Sequence, residues 1–188
     1  MKLQLSQDKI PKHLLKYFKS IGHKKNDLID TPHLVAEALR QDGWILRQDI
    51  IWEKSSCLPE SVKNRCANSH EHIFLLVKTP QYYFDYKAIQ VQSNQIGNNT
   101  IVNKRSVWKI PTSTYKGAHF ATFNPKLITP CILAGCPKGR VVFDPFMGAA
   151  TVGVVAKKNN RKYLGVELNP KYIKLAKQRL RETLPNLF

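Results

Sequence analysis

Acid, cysteine and long apolar runs are scarce in this sequence. Thirteen Asp and Glu stand against thirty Lys and Arg, giving a net charge of +17 in 188 residues. A field of that sign gathers polyanions and releases counterions where it meets phosphates, which makes nucleic acid the leading partner. No apolar run approaches the roughly 20 residues of a membrane span. Met1-Lys2-Leu3-Gln4-Leu5 opens no signal peptide, so the expected location is the cytoplasm, with no membrane partner. The cysteines, Cys57, Cys66, Cys131 and Cys136, include no Cys-x-x-Cys pair and match no common zinc module. Reduced thiols of a cytosolic protein are the expectation. His70-Glu71-His72 is too closely spaced to set two imidazoles on one helical face, so no metal site is expected. Internal repeats are absent.

The length suits one domain with one sizeable core. Ile10, Leu14, Phe18 and Ile21 recur at helical spacing, with Lys12, Lys16 and Lys19 on another face. A second helix is expected from Thr31 as cap, with Pro32 in its first turn, Val35, Ala36 and Leu39 facing the core, and Gly43 ending it. Residues 44–52 suit a strand. Residues 53–69 suit a loop with a short helix. Residues 72–78 form an apolar run fit for a strand buried on both faces, and 82–85 suit its hairpin partner. Residues 91–105, rich in Asn, Gln and Ser, predict a loop. Strands then alternate with helices: strand 106–110, helix 125–134, strand 140–144, helix 150–159, strand 162–167, helix 170–184. That order predicts an α/β domain with a mainly parallel sheet.

The last third builds a ligand site. Val141-Val-Phe-Asp-Pro-Phe-Met-Gly148 runs from an apolar strand into a tight turn before a helix. Gly148 permits backbone angles closed to other residues and a close ligand approach. The helix behind it offers free amides to a carboxylate. About twenty residues on, Glu167 ends the next strand, where a carboxylate accepts hydrogen bonds from both hydroxyls of a ribose. Glu167 alone would suit a solvated acid capping the helix near Pro170. The glycine turn and the acid at this spacing together indicate a nucleoside-type cofactor.

Asp144-Pro-Phe-Met-Gly148, Val166-Glu-Leu-Asn-Pro-Lys-Tyr172 and His119-Phe-Ala-Thr-Phe123 bring the chain close to a known family. Gly43-Trp-Ile-Leu-Arg-Gln-Asp-Ile-Ile-Trp52, Pro59-Glu-Ser-Val62 with Arg65, His70-Glu-His-Ile-Phe74 and Tyr83-Phe-Asp85 fit as well, in the same order. Over residues 26–181 the sequence resembles the DNA amino-methyltransferases that modify adenine N6 or cytosine N4, in the group whose catalytic motif precedes the cofactor motif. The resemblance implies a Rossmann-like fold, S-adenosyl-L-methionine as cofactor, double-stranded DNA as partner and a place in restriction-modification. It places Asp144 and Gly148 beside the methionine moiety, Phe146 near the adenine or sulfonium, and Glu167 on the ribose. His119, Ala121 and Thr122 would line the amino-acid end. Arg65 and His70 would lie near DNA or brace the catalytic loop, His70 equally well as a loop-fixing histidine. Lys104 and Arg105 would touch phosphate. Trp44 and Trp52 suit the core better than base stacking. Residues 1–25 then form a basic N-terminal segment, and 26–188 a methyltransferase-like domain with a short target-recognition loop at 91–105.

Two departures from the family pattern stand out. Ala150 occupies a position where the family has glycine, adding a methyl group close to the cofactor turn. The family's catalytic tetrapeptide, Asp, Asn or Ser followed by Pro-Pro and an aromatic, is absent, because the sequence contains no Pro-Pro. In the family that tetrapeptide orients the target amino group while its aromatic stacks on the flipped-out base. The expectation is an incomplete sheet lacking a central strand between the 140–144 and 44–52 strands, and no catalytic residue in this chain. The resulting gap would be closed by direct pairing of those two strands, by residues 1–7, or by a complementing chain or self-association. The alternative is a catalytically inactive nucleic-acid-binding remnant.

Overall fold

The computed structural model describes residues 16, 18, 20–24, 27–57, 59–93, 100–112 and 123–184. The chain divides into two compact units, Met1–Trp44 and Ile45–Phe188. In the first, Lys16, Phe18 and Ser20 are helical, and the rest of the helix expected at 10–22 lies mostly outside the described residues. Helix α1 follows, Thr31–Gln41. Its N-cap is Asp30, in the left-handed region at φ 55°, and Thr31 is already helical. Asp30 holds this angle with Oδ1 2.7 Å from His33 Nδ1; Asn and Asp tolerate it through such local bonds. Ala36 is buried as expected, but Val35 is 53% exposed. Gly43, at φ 90°, ends the helix where a side chain would be strained.

The second unit opens with β1, Ile45–Glu53, and β2, His70–Val77, paired antiparallel. Strand β5, Val107–Lys109, pairs parallel to the other edge of β1 at Ile51–Glu53. Side chains alternate across β1, so Ile50 and Trp52 enter a core with Trp108, Ile110 and Leu127. Trp52 donates its indole N–H to the Ile110 carbonyl at 2.8 Å. It is a core residue, as its sequence setting indicated. Strand β2 is half-buried along most of its length instead of buried on both faces, because an antiparallel neighbour on one edge leaves a face near solvent.

Three further expectations fail in this region. No helix lies among the described residues of 54–69. Residues 82–85 form no strand: Asp85 donates its N–H to the Ala134 carbonyl, and its carboxylate accepts from Ala88 N–H, turning the chain into a 3-10 turn at Lys87–Ile89. The polar stretch 91–105 is not all loop, since β3, Val91–Ser93, pairs antiparallel with β4, Thr100–Val102.

Helix α2 spans Pro125–Gly135, with the Asn124 side chain accepting from Lys126 N–H. After it come β6, Val141–Asp144, helix α3, Thr151–Lys158, strand β7, Lys162–Gly165, and helix α4, Pro170–Glu182. β6 and β7 are parallel. The chain is α/β, but its described strands form separate sheets ordered β2-β1-β5, β3-β4 and β6-β7. The three-stranded sheet and the β6-β7 pair meet through α2, not through a shared strand. Leu127 of α2 packs on the β1 and β5 core, while Ile132 packs with Val155 and Ala156 of α3, against Val142 of β6. Direct pairing of β6 with β1 does not occur. β1 already has a neighbour on each edge, β5 along Ile51–Glu53, so among the described residues the outer edges belong to β2 and β5 and to the strands of the two-stranded sheets β3-β4 and β6-β7. Residues 1–7 lie outside the described set.

Cys57 and Cys66 are exposed, and Cys136 is buried. Burial pushes the Cys131 thiol up from its ordinary 9.0 to about 11. A thiol raised in the folded state stays neutral longer than in the unfolded chain, so it weakens stability only as pH climbs from 9.0 toward 11. At about pH 8, alkylation followed by mass spectrometry should label Cys57 and Cys66 quickly and spare Cys131 and Cys136 until the protein unfolds. Equal labelling of all four in the folded protein would contradict this packing.

Candidate cofactor site

The turn between β6 and α3 is held from three sides. Asp144, last in β6, accepts from Phe146 N–H through its carboxylate at 3.0 Å and from Val166 N–H through its carbonyl at 3.0 Å. Met147 N–H reaches back to the Val166 carbonyl at 2.9 Å, continuing the β6–β7 ladder past the end of both strands. From α4, Arg179 donates to the Ala149 carbonyl and lies 3.5 Å from Thr151 Oγ1. Nothing local signals this tie, because the partners are 30 residues apart and a mid-helix arginine has many possible roles.

Glu167 closes the site. Its Oε2 accepts from Gly148 N–H at 3.0 Å and its Oε1 from Asn169 N–H at 2.7 Å. It does not cap α4; the Asn169 side chain does, accepting from Lys171 N–H at 3.0 Å. A carboxylate has about four lone-pair directions, so two remain to accept from other donors. Gly148 sits at φ 52°, and a β-carbon there would meet nothing nearer than the Phe146 carbonyl at 4.0 Å. The space before the turn is therefore open. Phe146, in the turn, and Leu168, next to Glu167 in sequence, are 89% and 92% exposed. Gly165 has no such room, since a β-carbon would overlap the Met147 side chain.

Ala150 proves to be a core residue. It is wholly buried and packs with Ala176 and Leu180 of α4 and with Met147, so its methyl lines no open space. Its φ of 61° is left-handed, which costs a non-glycine residue about 1–2 kcal/mol. In Ala150→Gly, relief of that strain opposes the lost methyl burial of about 0.8 kcal/mol and the added freedom of the unfolded chain. Stability should change by under about 1 kcal/mol, while Ala150→Val, β-branched at positive φ in a filled site, should lose at least about 2 kcal/mol. Denaturant titration checks both; a well-tolerated valine would show that the packing is wrong.

Asp144, Phe146, Gly148 and Glu167 are thus gathered at one turn. His119, Ala121 and Thr122 lie outside the described residues. Arg65 braces its loop, donating to Glu60 Oε2 at 3.1 Å and to the Cys66 carbonyl at 2.8 Å. His70 is exposed at the start of β2, with its ring 5.4 Å from that of His72. Lys104 lies over the Trp108 ring at 4.9 Å, and exposed Arg105 gives its carbonyl to the Trp108 indole N–H at 2.7 Å. Sequence reading missed Lys54. This buried cation just past β1 pairs with Glu71 and lies 5.2 Å from the Trp52 ring.

A family model described as DNA methylase matches residues 10–178. The type II methyltransferase M.Cfr9I of Citrobacter freundii is 48% identical over 159 residues, covering 85% of this chain and 52% of its own length. M.SmaI of Serratia marcescens is 46% identical over 159 residues, covering 85% and 54%. The chain spans about half the length of these curated relatives. Among solved structures, the cytosine-N4-specific PvuII DNA methyltransferase superposes with a TM-score of 0.68 at 22% identity, covering 88% of this chain and 62% of that one. The M1.HpyAVI–SAM complex gives 0.61 at 23% identity, covering 82% and 71%. The fold is the α/β, Rossmann-like fold of S-adenosylmethionine-dependent methyltransferases. The chain belongs to the N6/N4 DNA methylase family.

Proposed function

We propose that this chain is the cofactor-holding part of a site-specific DNA amino-methyltransferase. The reading rests above all on the Glu167 carboxylate, held by Gly148 and Asn169 N–H with two acceptor directions to spare. S-adenosyl-L-methionine fits such a turn: Glu167 takes the ribose hydroxyls, Asp144 and the Gly148 backbone flank the methionine portion, and exposed Phe146 covers an apolar part. His119, Ala121 and Thr122 complete the amino-acid end. When bound, the cofactor supplies an electrophilic methyl group; the chain's residues bind it, orient it and keep the turn shut. The acceptor is an exocyclic amino group of adenine or cytosine in double-stranded DNA. Arg65, His70, Lys104 and Arg105 approach that DNA, and the protein works in the cytoplasm.

The acceptor-orienting tetrapeptide comes from a segment outside these residues, in a complementing chain or a longer form of the protein. The exposed face of β6 and β7 supports this. Val141, Phe143, Leu164 and Val166 are 55%, 56%, 58% and 47% exposed, although parallel sheets are covered on both faces. Calorimetry should detect S-adenosyl-L-methionine binding to the purified chain, and a flat titration would sink the cofactor reading. The absence of Pro-Pro also favours a second reading, a nucleic-acid-binding remnant without catalysis. Methyl transfer in the presence of a supplied catalytic segment separates the two.

A further inference from the structure

Helix α4 leaves the cofactor turn at Pro170 and presents two unlike faces. Ala176 and Leu180 are buried against Ala150, and a β-carbon on Gly153 of α3 would come within 3.1 Å of the Leu180 side chain. On the opposite side Lys171, Lys174, Lys177 and Arg181 are exposed. At 3.6 residues per turn these four fall within about a third of the helix circumference, three or four positions apart. Gln178 lies among them, and the helix's one acid, Glu182, accepts from Gln178 at 2.9 Å. No acid occupies the first turn, where Lys171 opposes the helix dipole.

Such a stripe is costly for the chain alone. Like charges one turn apart repel, and a face serving only solubility mixes both signs. The apolar side is already spent on α3, which removes the amphipathic character needed to lie on a membrane. We infer that the exposed cationic face of α4 is a phosphate-binding track, along which the backbone of duplex DNA runs away from the cofactor turn. Charge complementarity selects a polyanion. Duplex DNA is favoured over an acidic protein because α4 starts three residues after Glu167, so a polymer lying on it reaches the turn where the methyl group is held. This inference rests on the proposed action on DNA and adds a contact surface that Arg65, His70, Lys104 and Arg105 do not include.

The test measures fluorescence anisotropy of a duplex of about 20 base pairs across a salt series, because the salt slope counts neutralised phosphates. The chain carrying Lys171→Gln, Lys174→Gln, Lys177→Gln and Arg181→Gln should lose roughly tenfold or more in affinity, with a slope shallower by about three. A control losing the same charge at Lys87, Lys126, Lys138 and Arg140 should lose less than about threefold. Thermal melting should leave the fourfold variant at or above the wild-type midpoint, since like-charge repulsion is removed. If it does not fold, the double variant Lys174→Gln and Arg181→Gln should lower the slope by about two. Equal losses in track variant and control would overturn the track, as would wild-type preference for poly-glutamate or anionic vesicles over the duplex. Calorimetry with S-adenosyl-L-methionine on the same proteins keeps the readings apart: no binding by the wild type removes the cofactor site and leaves the salt slopes to judge the track.

Discussion

Replacing Glu167 by Ala is expected to weaken S-adenosyl-L-methionine binding by about 1–3 kcal/mol, roughly 5- to 150-fold in affinity. The side chain acts at two levels. It ties the Gly148 turn to the chain entering α4 through two backbone N–H donors, and it offers its remaining acceptor directions to the ligand. Alanine removes both, so a fall in the ligand-free melting midpoint should accompany the loss of affinity. Glutamine separates the two levels. Its amide oxygen still accepts from one backbone N–H, but its nitrogen donates and faces a second N–H, so one tie is lost and charge assistance goes with it. Glu167→Gln should therefore sit between wild type and alanine in both calorimetry and melting. Unchanged affinity in the alanine variant would mean that the acid only staples the loops together.

What could be read in the sequence was what local chemistry determines. The β6–turn–α3 unit and the start of α4 stand where expected because Gly148, Asn169 and Pro170 act over a few residues. The cap of α1 is Asp30 and not Thr31: both are capping residues, Asp the stronger, and adjacent candidates are separated only by backbone geometry and the Asp30–His33 contact. Tyr82-Tyr-Phe-Asp85 carries strand composition yet forms none. Its backbone is claimed by α2 through the Asp85–Ala134 hydrogen bond, a partner 49 positions away. Strand β2 looked doubly buried because an apolar run records hydrophobicity without saying which neighbours arrive. The Arg179 tie to Ala149 and the Lys54–Glu71 pair are products of tertiary packing, and no window along the chain contains both partners. At Ala150 the sequence posed the right question, and burial answered it: the methyl belongs to the α3–α4 core.

The isolated chain is expected to transfer no methyl groups and to associate with itself as concentration rises. β6 and β7 are two parallel strands, which are marginal without further neighbours or cover on both faces. α3 covers one face, where Val142 packs with Val155 and Ala156. On the other, Val141, Phe143, Leu164 and Val166 stand about half exposed. Burying what remains of such side chains stabilises by about 1 kcal/mol each, so a cover of even modest fit gains several kcal/mol before ordering costs. Among the described residues β6 has an unpaired edge, which adds hydrogen-bonding groups that favour a strand over any other occupant. Direct pairing of β6 with β1 does not occur, and β5 already holds Ile51–Glu53 on the edge of β1 away from β2. A strand from another molecule is the expected cover. In the isolated protein that molecule is a second copy, giving loose, concentration-dependent oligomers. With a segment carrying the family's acceptor-orienting tetrapeptide it is the functional partner. Adding such a segment in trans should raise the melting midpoint, yield one defined complex by light scattering, and start methylation of duplex DNA in the same titration. Because the cover and the acceptor-orienting tetrapeptide arrive on one segment, order and activity should rise with the same dependence on its concentration. Methylation by a purified, monomeric 188-residue chain with no added segment would refute this account.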